Sequence, residues 1–218
     1  STVVRGVKFA AIVPQRPLRP MQTALAILAA YLLGSVPFAM ISSKVFGLAD
    51  PRSYGSGNPG ATNVLRSGNK KAALLTLAGD ALKGWAAVFI AQKMGLSDNV
   101  TGLVALAVFF GHLYPVFLKF KGGKGVATAI GVLLALDPLL GLAVIGTWLF
   151  IAFASRYSSL AAILAAALAP VYSLLMHGGT PQVLIIGILA MALIGKHWQN
   201  LQRLLAGQEA KIGSKKQN

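Results

Sequence analysis

Two glycine-rich basic segments interrupt an otherwise apolar chain. The first runs Gly55-Ser56-Gly57-Asn58-Pro59-Gly60-Ala61-Thr62-Asn63 and is followed by Arg66; the second runs Lys119-Phe120-Lys121-Gly122-Gly123-Lys124-Gly125-Val126-Ala127-Thr128. Glycine lets successive backbone N–H groups turn toward one concave spot, and adjoining Lys, Arg, Ser and Thr supply the charge and donors that a phosphate dianion needs. The chemistry on offer is anion binding, or an oxyanion site built from backbone donors and Ser56.

Neither segment fits a nucleotide fingerprint. Gly55 to Gly60 satisfies G-x-G-x-x-G, and Asp80 lies twenty residues beyond Gly60. That motif must follow a strand and open a helix, however, whereas this one falls between two apolar runs with Pro59 inside it. The second segment lacks the G-x-x-x-x-G-K-[ST] spacing of a phosphate loop. It does place Lys124 and backbone N–H groups at the start of a helix whose dipole favours an anion. The plainer alternatives are a turn between helices for the first segment and a topology signal at the headgroup surface for Lys119 and Lys121.

Other polar residues lie within or beside the apolar runs. Asp80 and Lys83 stand at i and i+3 and can pair on one helix face. An ionised group costs about 2.5–3.5 kcal/mol at mid-span, so the pair reads as a support for a functional site. His112, after Gly111, reads as a hydrogen-bonded packing residue beside that site, and His177 as a solvated loop residue. Arg156-Tyr157-Ser158-Ser159 forms a short corner where serine either caps the next helix or faces a ligand. Lys196-His197-Trp198-Gln199-Asn200-Leu201-Gln202-Arg203, followed by Gly207-Gln208-Glu209, reads as an amphipathic helix with cations for anionic headgroups. There is no cysteine and no metal-ligand spacing, which excludes a disulfide framework, a thiol nucleophile and a zinc site.

The elements that must position these groups follow from composition. Of 218 residues, 56% are hydrophobic and only 11% charged, against about 25% charged in a soluble domain. The mean hydropathy is +0.68. The chain is therefore an all-α, polytopic membrane protein, and its formal charge of +15 points to a membrane surface and not to nucleic acid. A span needs about 20 apolar residues. Candidate spans run over 21–41, 72–91, 100–118, 126–136, 139–154, 160–176 and 182–194. The fourth is short, and Asp137-Pro138 offers the alternative of one broken helix with the fifth. Seven spans put 14 Lys and Arg on one side and 5 on the other, whereas six give 11 against 8. The positive-inside rule thus favours seven transmembrane helices, N-terminus outside and C-terminus cytoplasmic, with both glycine segments, Ser158-Ser159 and Asn200 facing the cytoplasm. Residues 1–20, with Arg5, Lys8, Arg16, Arg19 and three prolines, read as a flexible leader or expression remnant. Residues 21–211 form one membrane-embedded domain and 212–218 a flexible basic tail.

Donors and cations dominate this inventory, and bases are scarce. Five residues after His112, His177 and His197 stand Phe117, Gln182 and Gln202, so no H-x-x-x-x-D pair of the soluble-headed glycerophosphate acyltransferases is present. Such a site suits a reaction that both binds and expels phosphate, since a phosphate leaving group needs charge stabilisation more than a strong general acid. Gly34-Ser35, Gly55 through Arg66, Gly111-His112-Leu113-Tyr114-Pro115-Val116-Phe117, Phe120 through Thr128 and Asn200-Leu201-Gln202-Arg203-Leu204 resemble the bacterial PlsY family. These are integral membrane acyl-phosphate:glycerol-3-phosphate acyltransferases, and the resemblance covers about Leu25 to Lys211.

The resemblance implies a seven-span fold in the bacterial inner (cytoplasmic) membrane. It implies transfer of a fatty acyl group from acyl phosphate to the sn-1 hydroxyl of glycerol 3-phosphate, giving lysophosphatidate and inorganic phosphate, with no cofactor and no obligate protein partner. Carried over by motif, Arg66 and Lys124 bind the glycerol-phosphate phosphate together with Gly122, Gly123 and Gly125. Ser56, with Gly55, Gly57, Asn58, Thr62 and Asn63 around it, holds the acyl-phosphate end. Asn200 orients substrate; Ser159 and His197 are further carry-overs; Asp80, Lys83 and His112 support the site. Lys196 stands where relatives are expected to carry Arg, which keeps the charge and loses the planar fork. The scarcity of bases implies that a phosphate oxygen of the donor takes the acceptor's proton. The rival reading is a membrane carrier of phosphate or an organophosphate, which would need its site exposed to both faces in turn.

Overall fold

The computed structural model describes residues 20–213, and those residues form α-helices and one 3₁₀ turn with no strand among them. In chain order the helices are α1 (Pro20–Ser35), α2 (Phe38–Val45), α3 (Ala61–Leu65), α4 (Lys70–Lys93), α5 (Asp98–Leu113), α6 (Val126–Leu136), α7 (Pro138–Ser155), α8 (Ser158–His177), α9 (Pro181–Lys196) and α10 (Trp198–Leu205). Pro20, expected in the leader, opens α1. The rest of that leader and residues 214–218 lie outside the described residues.

Local chemistry sets the helix ends. Asn69 caps α4 by accepting from Ala72 N at 2.9 Å, and Ser97 caps α5 through Val100 N. Asp137 caps α7, accepting from Leu139 N at 2.7 Å and Leu140 N at 3.2 Å, with Pro138 at the first turn where its missing N–H costs nothing. The span expected over 21–41 is instead two helices, because Pro37 lacks a donor and pushes Val36 out of helical geometry. The span expected over 100–118 is α5 followed by the turn Val116–Leu118.

Among the described residues, five helical stretches are long and apolar enough to cross a membrane, and a sixth is reached only if α9 and α10 count together across a 58° bend. The multi-pass membrane class therefore holds, while seven full-length crossings are not what these helices provide. The missing length is in α6, with 11 residues. It does not continue into α7 as one broken rod. A Cβ on Gly141 would come within 2.8 Å of Leu134 Cα, so α7 turns back against α6.

Close helix crossings use glycine from both partners. Gly34 faces the Val108 carbonyl while Gly111 faces that of Tyr31, locking α1 to α5; Gly84 faces the Thr128 carbonyl while Gly131 faces that of Ala81, locking α4 to α6. Small residues let backbones approach where no water is available to drive association. Inside, Val88, Val108, Phe109, Leu113 and Val132 are fully buried. Outside, Phe150 is 73% and Phe153 89% exposed, faces suited to lipid and not to water.

A Cβ at Gly131 would press on backbone atoms of Ala81 and Trp85, whereas one at Gly146 on α7 would have nothing within 4 Å. Gly131→Val is expected to destabilise the protein by about 1–3 kcal/mol, and Gly146→Val, which carries the same helix-propensity change, to be near neutral. Thermal unfolding of both in one detergent checks the difference.

Candidate active site

The first glycine segment is held by one buried amide. Asn63, in the middle of α3, donates through Nδ2 to Pro51 O at 2.6 Å and Tyr54 O at 3.2 Å, and accepts through Oδ1 from Ser56 N at 2.9 Å. Gly55 and Gly57 sit at φ +61° and +67°, in the left-handed region that L side chains resist. The expected nest of backbone donors is largely spent inside the loop: Ser56 N goes to Asn63, Gly57 N to Tyr54 O and Gly60 N to Asn58 O. Asn63 is therefore a scaffold for this segment, and the groups left at its surface are the Ser56 and Thr62 hydroxyls and Arg66. The Arg66 side chain runs against Gly55, where a Cβ would lie 3.1 Å from its Cδ. Asn58 is half-buried, its N–H 3.5 Å from Ser56 Oγ.

The second segment turns back beneath the end of α5. Lys119 and Phe120 take positive φ after the turn Val116–Leu118, and Gly123 N donates to His112 O at 3.2 Å. Gly122 lies on the carbonyls of His112 and Leu113, and Gly123 lies against His112 Nε2. Gly125, at φ +88°, packs on Phe109 and Leu113 and starts α6. These glycines bring the backbone close to α5 and aim Lys124 outward. The two segments touch: a Cβ on Gly123 would be 3.2 Å from Pro59 O.

Lys124 donates to Asn200 Oδ1 on α10. Asn200 Nδ2 donates to Glu209 Oε1 at 2.6 Å, Ser159 Oγ donates to the same oxygen at 2.7 Å, and Arg203 Nε donates to Glu209 Oε2 at 2.8 Å. Thr62 Oγ1 lies 3.4 Å from Ser158 Oγ, which closes the ring back to the first segment. Burial pushes the Lys124 ammonium down to about 8, against the pull of Glu209, with Arg203 and Arg66 adding to the lowering. Burial pushes the Glu209 carboxyl up, but the donors from Asn200, Ser159 and Arg203 outweigh it and hold the group below the usual carboxylate range.

Glu209 is the residue the sequence reading left in the tail. It is the only glutamate in the chain, which was the available signal. A short strap delivers it: Ile212 N donates to Arg156 O at 2.7 Å, and Arg156 Nη2 donates to Ile212 O at 3.2 Å. His197 stands beside the ring and is buried, with Nδ1 2.8 Å from Leu193 O at the bend between α9 and α10. Lys196 reaches back to Leu113 O at 3.2 Å and lies over the Tyr114 ring. Asp80, Lys83 and His112 gather beneath the ring, with Lys83 Nζ 2.8 Å and His112 Nδ1 3.3 Å from Asp80 Oδ1.

An apolar cavity opens beside the ring, between α6, α7, α8 and α9. Val126 and Leu193 line its near end, next to Lys124 and Lys196; Leu133, Val144 and Ala169 line its depth. A cationic, donor-rich rim over an apolar slot can hold a phosphate-bearing head and a hydrocarbon tail at once.

Comparison with known proteins bears on the family and the fold. The family model described as glycerol-3-phosphate acyltransferase matches residues 24–207. A glycerol-3-phosphate acyltransferase of Dechloromonas aromatica is 82% identical over 196 residues, covering 90% of this chain and 99% of that one. One from Cupriavidus taiwanensis is 60% identical over 200 residues, with the same shares covered. A crystal structure of PlsY (YgiH), an integral membrane glycerol 3-phosphate acyltransferase in its glycerol 3-phosphate form, superposes with a TM-score of 0.83 at 39% identity, covering 88% of this chain and 96% of that one. Its lysophosphatidic acid form superposes with a TM-score of 0.82 at 38% identity. The chain belongs to the glycerol-3-phosphate acyltransferase family of integral membrane proteins.

Proposed function

We propose that this acyltransferase moves a fatty acyl group from acyl phosphate to the sn-1 hydroxyl of glycerol 3-phosphate, releasing lysophosphatidate and inorganic phosphate. The observation that carries the reading is the chain Lys124–Asn200–Glu209–Ser159 closing a cationic ring over the apolar cavity. The acyl tail lies in the cavity, which brings the carbonyl to the rim. Arg66 and Lys124 hold the phosphate of the acceptor, and the Ser56 hydroxyl with its shaped loop holds the donor's phosphate. Asn200, oriented by Glu209, sets the acceptor.

The acceptor hydroxyl oxygen bonds to the carbonyl carbon while the carbon–oxygen bond to phosphate breaks. The hydroxyl proton passes to a phosphate oxygen of the donor, so inorganic phosphate leaves carrying it. The residues support this substrate-assisted route by elimination. Glu209 has both oxygens engaged and a lowered pKa, which makes it an orienter and a poor base. His197 Nδ1 faces its own helix's carbonyl, and His112 lies under Gly123. A carrier would need this site open to both membrane faces, and its polar groups collect at one end of the bundle.

The site is proposed to face the cytoplasm from the bacterial inner membrane, with α6 counted as the fourth of seven passes, the N-terminus outside and the C-terminus inside. The chain has no cysteine, so single introductions report cleanly. A membrane-impermeant maleimide added to spheroplasts is expected to label Gly179→Cys, and to label Lys121→Cys only after lysis. The reverse pattern inverts the orientation.

Purified protein given palmitoyl phosphate and glycerol 3-phosphate is expected to release inorganic phosphate and form lysophosphatidate. Arg66→Ala and Lys124→Ala are each expected to raise KM for glycerol 3-phosphate by about 10–100-fold, the loss of one or two charge-assisted hydrogen bonds. Unchanged kinetics in both variants removes the phosphate assignment.

Lys124 must be protonated to hold a phosphate, and its pKa lies near 8. The kcat/KM for glycerol 3-phosphate, which reports the free enzyme, is therefore expected to fall as pH rises through about 8. Lys124→Arg stays charged throughout, so any activity it keeps should show that fall displaced to higher pH.

A further inference from the structure

Asp80, Lys83 and His112 are all buried, and the transfer step proposed above uses none of them. A buried ion pair is an inefficient way to gain stability, since apolar side chains of similar size often do as well. What sets this cluster apart is what it touches. Lys83 Nζ donates to Val36 O at 2.9 Å, the carbonyl at the break where Pro37 separates α1 from α2. The His112 carbonyl accepts from Gly123 N, and the His112 ring fills the space a side chain at Gly123 would need. Asp80 Oδ1, 2.8 Å from Lys83 Nζ and 3.3 Å from His112 Nδ1, joins the two. A small cavity lies between the cluster and the site, lined by Asp80, Lys83 and His112 on one side and by Ser35, Pro59, Gly122 and Gly123 on the other. One carboxylate thus underlies the helix break and backs onto both glycine segments.

We propose that Asp80, through His112 and Lys83, is a positioning residue that sets where the Gly122–Gly123 backbone lies and so where Lys124 points. The negative charge beside Nδ1 favours the imidazole tautomer that carries its proton there. The ring is the surface on which Gly123 rests. Lys124 follows directly, and a displacement of about 1 Å at a binding group costs up to about a hundredfold in turnover. The substrate affected is the one Lys124 binds, which rests on the acyltransferase reading above.

Two sets of variants test this in purified protein. Asp80→Leu combined with Lys83→Met removes both charges together, so neither is left buried alone. It is expected to remain folded, to raise KM for glycerol 3-phosphate roughly tenfold or more while KM for palmitoyl phosphate changes little, and to speed hydrogen exchange of the peptide spanning 119–125. The second set is a cycle of Gly123→Ala, His112→Ala and the pair. Because the alanine methyl collides with the His112 ring, Gly123→Ala is expected to be less damaging when His112 is already alanine.

Unchanged exchange at 119–125 with unchanged KM overturns the proposal, as does a loss of thermal stability with both substrates affected alike. Strictly additive effects in the cycle overturn it too, and the cycle decides alone if the Leu–Met variant does not fold. A wild-type protein that transfers no acyl group refutes the function reading instead, while exchange at 119–125 still decides the positioning role.

Discussion

Every departure from helix in this chain frees backbone N–H and C=O groups that apolar surroundings cannot satisfy, and each unsatisfied group costs several kcal/mol. The structure supplies specific side-chain or backbone partners at several of these breaks. Lys83 takes the Val36 carbonyl, Asn63 takes the carbonyls of Pro51 and Tyr54 and the N–H of Ser56, and the His112 carbonyl takes Gly123 N. Arg156 and Ile212 satisfy one another where the tail crosses the corner between α7 and α8. Irregular backbone is tolerated where it is tied down in this way, and those tied-down places are also where the proposed substrates bind.

The same scarcity shapes the electrostatics. Five acids face twenty Lys and Arg, and four of the acids work locally: Asp50 on Arg52, Asp80 on Lys83 and His112, Asp137 on the start of α7 and on His177, and Glu209 on three donors. None of these four is left poised as a base. Arg66 and Lys124 instead present positive charge, Lys124 in a partly desolvated setting that lowers its pKa because no carboxylate fully offsets burial. A doubly charged phosphate supplies what the protein lacks. In the proposed reaction substrate binding neutralises the site, and the substrate's own oxygens carry the proton chemistry.

Much of this was legible in residue order, and the misses have physical causes. Apolar runs locate α4, α7, α8 and α9 to within a few residues, because in lipid length and hydropathy leave few alternatives. Pro37 announced a break that a hydropathy window smooths over, and α2 was lost inside the first span. The glycines of the first segment signalled an unusual backbone correctly, but whether their N–H groups face a ligand or the loop depends on Asn63, whose partners lie up to twelve residues away. Glu209 was harder still. Its role depends on α10 bending by 58° and on the strap returning to Arg156, and neither feature leaves a periodic pattern.

The shortness of α6 connects these points. Eleven residues rise about 16 Å, little more than half of a hydrocarbon core of about 30 Å. Its C-terminal end is fixed at Asp137, which pairs with a His177 that is one-third exposed and so marks one boundary of the bundle. The N-terminal end, with Gly123, Lys124 and Gly125, then stops well short of the opposite boundary, and the loop from Lys119 fills the remaining depth. That recess accounts for the burial of Lys124. It also places the ammonium beside Val126, at the mouth of the apolar cavity. A full-length helix here would lift the cation to the headgroup surface, away from a carbonyl whose tail stays among the helices. The short helix instead lets one element present its charged end to the proposed acceptor's phosphate and its side to the hydrocarbon of the acyl tail, which brings the two proposed substrates to one mouth.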